Sequence, residues 1–135
     1  MMKIKPLLLI ALIITAIIIY FSWDSIYGIK LNIQELSEAY KEDVKEADNK
    51  YLNKNLFIDG KVKAYYRIMG SRSVLELELN KNSIPVFFFP ATQEVESQAE
   101  RLQQGQEITI KGKCLGKDAY SFISGIKIDA EKIEE

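Results

Sequence analysis

The sequence has no histidine and one cysteine, Cys114. A disulfide within this sequence is therefore impossible, and zinc sites built from His and Cys are excluded. Ser–His and Cys–His catalysis are excluded with them, which removes much of enzyme space. A surplus of positive charge is missing too. The formal net charge is −1, and acids still outnumber bases once the residues up to Lys30 are set aside. Such a chain has no basic excess to attract a phosphate backbone, so nucleic acid is an unfavoured partner. No internal repeat and no low-complexity stretch is present.

What is present first is an apolar run. Leu7–Phe21 carries only Thr15 and Tyr20 with any polar side-chain group. It spans about 22 Å as a helix. With Pro6 and Ser22–Trp23 it reaches the lower limit for crossing a hydrocarbon core, about 17 residues. Lys3 and Lys5 precede it, Tyr20 and Trp23 suit the membrane–water interface, and the two lysines favour a cytoplasmic N-terminus. A cleaved signal peptide is the alternative. Against it, the exit Tyr20-Phe21-Ser22-Trp23-Asp24 offers no small-residue cleavage site. No cysteine stands there to carry a bacterial lipid anchor. The expected organisation is a membrane anchor over 1–24, a short tether over 25–31, a folded domain over 32–130 and a polar tail over 131–135. The expected location is a cell membrane crossed once, with the C-terminal domain outside the cytoplasm.

Asn32 opens a helix, with an acid three residues on at Glu35. Ile33, Leu36, Tyr40, Val44, Ala47 and Tyr51 form one apolar stripe, and the opposite face is charged. Beyond Asn53-Lys54-Asn55 the period becomes two. Leu56, Ile58, Gly60, Val62 and Ala64 mark the inner face of a first strand. Met69–Arg72 reads as a turn. Leu75, Leu77 and Leu79 alternate with outward Val74, Glu76 and Glu78 in a second strand, and Ile84–Phe89 is a third. Thr92–Gln104 reads as a helix ended by Gly105. Glu107–Leu115 is a fourth strand, and a fifth runs about Tyr120–Ile128. The expected fold class is α+β, mainly β. It is a five-stranded OB-fold barrel with an N-terminal amphipathic helix and a helix between strands three and four, preceded by one transmembrane helix. Gly60 and Gly112 suit the sharp strand bending of a small barrel.

Particular residues carry a family likeness. Glu38-Ala39-Tyr40, Ala47, Tyr51-Leu52-Asn53-Lys54 and Ile58-Asp59-Gly60-Lys61-Val62 resemble the opening of the tRNA_anti-like OB-fold family. Gly105-Gln106-Glu107-Ile108-Thr109-Ile110-Lys111-Gly112-Lys113-Cys114 is similar to its G-x-x-V-T-V-x-G-x-C segment. The resemblance covers about residues 33–128. It implies a small bacterial protein, often exported or lipid-anchored, and the family name implies no demonstrated tRNA binding. Relatives often carry cysteines in the third strand and near the end of the last. Here Val86 and Gly125, or its neighbour, stand at about those places, so Cys114 has no partner for a disulfide or metal role.

OB barrels bind ligands on the face of strands two and three, between the first and fourth inter-strand loops. The expected ligand contacts are Tyr66, Arg67, Arg72, Phe87, Phe89, Lys117 and Tyr120. Ordinary loop composition, and aromatic rings covered by other elements, are the plainer readings of the same residues. Lys61, Lys63, Lys111 and Lys113 form two short basic rows that suit anionic lipid or an acidic partner, or merely a solvated strand face. Glu76 and Glu78, about 7 Å apart by strand geometry, raise a paired-carboxylate reading. Nothing else accompanies it. Cys114 reads as a small buried apolar residue. The function expected is a membrane-tethered, extracytoplasmic binding module for a protein, peptide or small molecule. It is not an enzyme and has no cofactor or metal. An oligonucleotide-binding domain is the alternative, and a hydrolase a distant one.

Overall fold

The computed structural model describes residues 5–68, 72–120 and 122–135, with the backbone alone for 21–27. The turn expected over Met69–Ser71 lies outside them. Helix α1 runs Pro6–Tyr27. Side chains from Leu7 to Tyr20 are exposed at every successive position, so over that stretch the domain covers no flank of the helix. Among the described residues no helix is long and apolar enough to cross a membrane.

The residues read as a tether do not form one. One residue after α1, Ile29–Asn32 is a strand, β1. It pairs in parallel with the start of β2 (Asn55–Ile68), Ile29 opposite Leu56 and Asn32 opposite Asp59. The alternation of Ile29 and Leu31 with Lys30 and Asn32 is a two-residue period that the preceding apolar run obscures.

The amphipathic helix is two helices, α2 (Ile33–Glu42) and α3 (Val44–Tyr51). Asp43 divides them. Its extended backbone ends α2, while its side chain accepts the N–H of Glu46 at 3.2 Å and starts α3. Val44, expected on the buried stripe, is 39% exposed because the break turns it away. At the other end, Asn32 caps α2 by accepting the N–H of Glu35 at 2.9 Å.

The remaining elements are β3 (Arg72–Leu77), β4 (Val86–Pro90), α4 (Gln93–Glu100), β5 (Glu107–Gly116) and β6 (Ile126–Glu134). The sheet order is β1-β2-β3-β4-β6-β5, and β5 returns to β2. Strands β2–β6 therefore close into the five-stranded OB barrel, with α4 between its third and fourth strands and β1 added alongside β2. Leu56, Ile58, Leu75, Phe88, Ile110 and Ile128 fill the interior, and Leu36, Tyr40, Ala47 and Tyr51 close over it from α2 and α3.

The last strand differs from its sequence reading at both ends. Residues 117–120 and 122–125 lie outside any strand, and the strand continues to Glu134 with Ile133 buried opposite Ile110. The polar tail is thus largely strand. Gly112 lies where the β5–β6 register shifts. A Cβ there would come within 2.5 Å of the Asp129 carbonyl oxygen, which explains glycine at that point.

Candidate functional site

The outward side of β3 and β4 is where this barrel type takes ligands. Here a part of the chain itself lies over it. Val74 and Phe89 point outward by strand parity, yet both are buried, and Phe89 is covered by Tyr120 of the β5–β6 loop. Tyr120 is the loop's anchor. Its φ of +49° is a left-handed conformation that a bulky side chain rarely adopts. The ring meets Phe89 edge-on, with centroids 5.2 Å apart.

Arg72, the first residue of β3, lies across both rings. Its guanidinium carbon is 4.3 Å from the Tyr120 centroid and 4.7 Å from that of Phe89. Nη2 donates to the Tyr120 hydroxyl at 2.9 Å. Contacts of a guanidinium with ring faces are worth about 0.5–1 kcal/mol each when exposed. Together they hold Tyr120 in its strained conformation. At the loop's tip Phe122 is 60% exposed, 6.3 Å from Tyr120 between centroids. Its return passes over Phe87, where Gly125 has φ of +140° and a Cβ would strike the Phe87 ring at 2.8 Å.

Beneath the loop is a fully buried lysine, Lys127, on the outward side of β6. Its Nζ donates to the backbone carbonyl of Lys117. Burial lowers its pKa from the ordinary 10.5, and Asp118 opposes that shift by attraction. On β2, beside β3, Tyr66 sits opposite Val74 and donates to Glu76 at 2.6 Å. Burial, then this bond, raises the Tyr66 hydroxyl above its usual 10.0.

The expected contact set therefore divides. Arg72, Phe89 and Tyr120 converge on one another, with Tyr66 and Phe87 on the same face. Phe89 is packed rather than open, since Arg72 and Tyr120 cover it. Arg67 belongs elsewhere. It lies opposite Ser73 on the other side of the sheet and pairs with Glu96 of α4 at 3.8 Å. The backbone carbonyl of Lys117 accepts from Lys127 beneath the loop. Phe122 escaped the sequence reading because residues 120–128 read as one strand. The signal against that was Gly125, whose positive φ precedes the true strand start.

The other candidates resolve as follows. Glu76 accepts from Tyr66, whereas Glu78 is exposed just past the end of β3. Cys114 is buried, 3.6 Å from the Tyr40 hydroxyl, which itself donates to Asp48 at 2.8 Å. Burial raises the thiol's pKa, which disfavours the reactive thiolate. Among the described residues no group of three or more His, Cys, Asp or Glu could hold a metal. An open groove of about 570 Å³ lies away from the loop, lined by Asn32, Asp59, Lys61, Glu107 and Glu134 among others.

The tRNA_anti-like family model matches residues 22–123. No curated protein matches the chain. Among solved structures, the OBody AM3L15 bound to hen egg-white lysozyme is similar with a TM-score of 0.50 at 14% identity, over 62% of this chain and 77% of that one. The asparaginyl-tRNA synthetase of Pyrococcus horikoshii complexed with asparaginyl-adenylate gives 0.49 at 18% identity, over 63% of this chain. The likeness spans 19% of that synthetase. At these identities the likeness is one of fold.

Proposed function

The chain belongs to the tRNA_anti-like family, and from that premise we propose that it is a non-catalytic OB-fold binding module, tethered to a membrane by α1 and displayed outside the cytoplasm. The observation that carries the binding reading is the rim made by Arg72, Tyr120 and Phe122. Exposed aromatic and arginine side chains are the residue types that dominate protein contacts. Of the large apolar side chains exposed on the folded domain, Phe122 is the most exposed among the described residues. Strain held at Tyr120 fixes the loop that presents it. The ligand is a protein, peptide or small molecule with an apolar group for Phe122 and an acceptor for Arg72. The tether reading is supported by the uniform exposure of apolar α1 side chains, and its orientation by Lys3 and Lys5.

A second reading, single-stranded nucleic acid, draws on the same rim. Bases stack on aromatic rings and on arginine planes, and Arg72 already stacks on Tyr120. Against it, the row beside the rim carries Glu76, and the chain as a whole has no basic excess.

Photo-crosslinking in the native membrane tests the lead. A photoreactive residue at Phe122 is expected to give a discrete adduct, and one at exposed Val44 none. Equal labelling at both positions, or none at Phe122, would defeat it. Anisotropy titration with a 12-nucleotide single strand separates the readings. Binding that weakens steeply with salt and is lost in Phe122→Ala would establish the second reading in place of the first.

A further inference from the structure

We infer that the outward face of β1, β2, β5 and β6 is a second interaction surface, a docking face for the headgroups of anionic lipids. The inference rests on the tether reading and names what the domain does beside its tether. The strand register carries it. Lys30 of β1 lies opposite Phe57 of β2, Phe57 opposite Lys111 of β5, and Lys111 opposite Lys132 of β6. Pairing in register puts all four on one side of the sheet, in a row that crosses four strands. Lys113, exposed, lies one step along, opposite Asn55 of β2 and Asp129 of β6.

The place of this row relative to α1 is fixed by the backbone. A single residue, Gly28, separates α1 from β1. It has φ of +86°, and a Cβ there would lie 2.7 Å from the Phe57 ring. The chain therefore leaves the helix beside Phe57, at the β1 end of the basic row, and β1 is held by its ladder to β2. No free linker allows the face to swing away. The next row away from Gly28 is Asn32, Asp59, Thr109 and Glu134, and beyond it Glu107 faces Lys61. On the Gly28 side Asp129 lies opposite Lys113 and offsets it, so the cations that pair with no acid in register are Lys30, Lys111 and Lys132, and Asp59 and Glu134 lie about 7 Å further on. Lys132 shares its charge with Glu134 at 3.6 Å, an exposed pair that a denser anionic surface can replace.

A membrane bearing anionic lipid fits this arrangement because juxtamembrane lysines are drawn to its negative surface potential within a Debye length. Phe57, half-buried under Lys111 with the ammonium 5.9 Å from its ring centroid, adds an amphipathic body between the cations.

The test uses the full chain in nanodiscs of phosphatidylcholine alone and of phosphatidylcholine with phosphatidylglycerol. Acetylation rates of individual lysines are read by mass spectrometry, with exposed Lys81, in the β3–β4 turn, as the internal reference. Lys30, Lys113 and Lys132 are expected to label about fivefold more slowly in the anionic discs. That protection should vanish at 1 M salt, and Lys81 should be unchanged. Equal rates in the two discs, with the protein incorporated in both, would overturn the docking face and leave the tether standing. Failure to co-elute with either disc would overturn the tether reading and this inference with it. Stronger protection of the same lysines by single-stranded RNA than by anionic lipid would assign the row to nucleic acid and also overturn it. In Lys30→Gln/Lys113→Gln/Lys132→Gln the remaining Lys111 should lose its dependence on lipid charge.

Discussion

Lys127 shows how a single residue records the closure of the loop. A lysine on the outward side of a strand is ordinarily solvated, and this one is fully buried with its Nζ on the backbone carbonyl of Lys117 in the β5–β6 loop. Burial penalises the ammonium and lowers its pKa in the folded state. The sign follows from linkage. Below the folded pKa the lysine is charged in both states and the penalty is present in full. Between the folded and unfolded values the unfolded chain holds more protons, so stability rises with pH. A neutral amine still donates to the Lys117 carbonyl, so the bond outlasts the charge. Urea midpoints are therefore expected to show an alkaline rise in the parent toward pH 10.5, the ordinary lysine value. Lys127→Met should lack that rise. Identical slopes would mean that the loop does not exclude water from Nζ.

At the scale of elements, Asp43 does two jobs at one position. It ends α2 with its extended backbone and caps α3 with its carboxylate, whose bond to the Glu46 N–H is 3.2 Å. Loss of such a cap costs about 1 kcal/mol. For a domain of this size that lowers the thermal midpoint by roughly 4–8 °C. Asp43→Ala should show that loss by circular dichroism, and Asp43→Asn should restore most of it, since an amide oxygen caps equally well. A loss shared by both variants would argue against the cap. The same position explains what the sequence concealed. Ile33, Leu36, Tyr40, Ala47 and Tyr51 keep the spacing of one stripe across the break, so periodicity joins two helices into one. The strands of the barrel were legible because alternation with a buried face leaves a strong period of two, as in Leu56–Val62 and Ile108–Cys114. Strand β1 was not, because its pairing with β2 is non-local and only four residues long. Reading residues 25–31 and 131–135 as tether and tail hid Lys30 and Lys132, and with them the basic row. The rim at Arg72 and Tyr120 was legible from loop positions in an OB order. Its closure over Phe89 was not, since that depends on where the loop folds.

For the whole molecule the decisive element is α1. A folded domain with its own closed barrel needs nothing from this helix, and α1 gives nothing back: Leu7, Ile10, Ile14 and Ile18 are each about half exposed or more. In water that surface would cost about 25 cal/mol per Å² of apolar area left unburied. A lipid environment removes the cost. The proposed tether thus accounts for a surface that the domain's own packing leaves open, and the basic row beside Gly28 gives the barrel a fixed side toward the bilayer. The full chain is expected to stay in the membrane pellet after alkaline carbonate extraction, with an intact mass that includes Leu7–Phe21. Ile13→Asp/Ile17→Arg puts two charges into the centre of the run, each opposed by about 3 kcal/mol on insertion scales. It should move the protein to the supernatant while leaving its barrel folded by circular dichroism. A mature mass beginning beyond Ser22 would show instead that the segment is a signal removed on export. The barrel would then be free of the membrane, and the lysine row would have to act without a tether to hold it there.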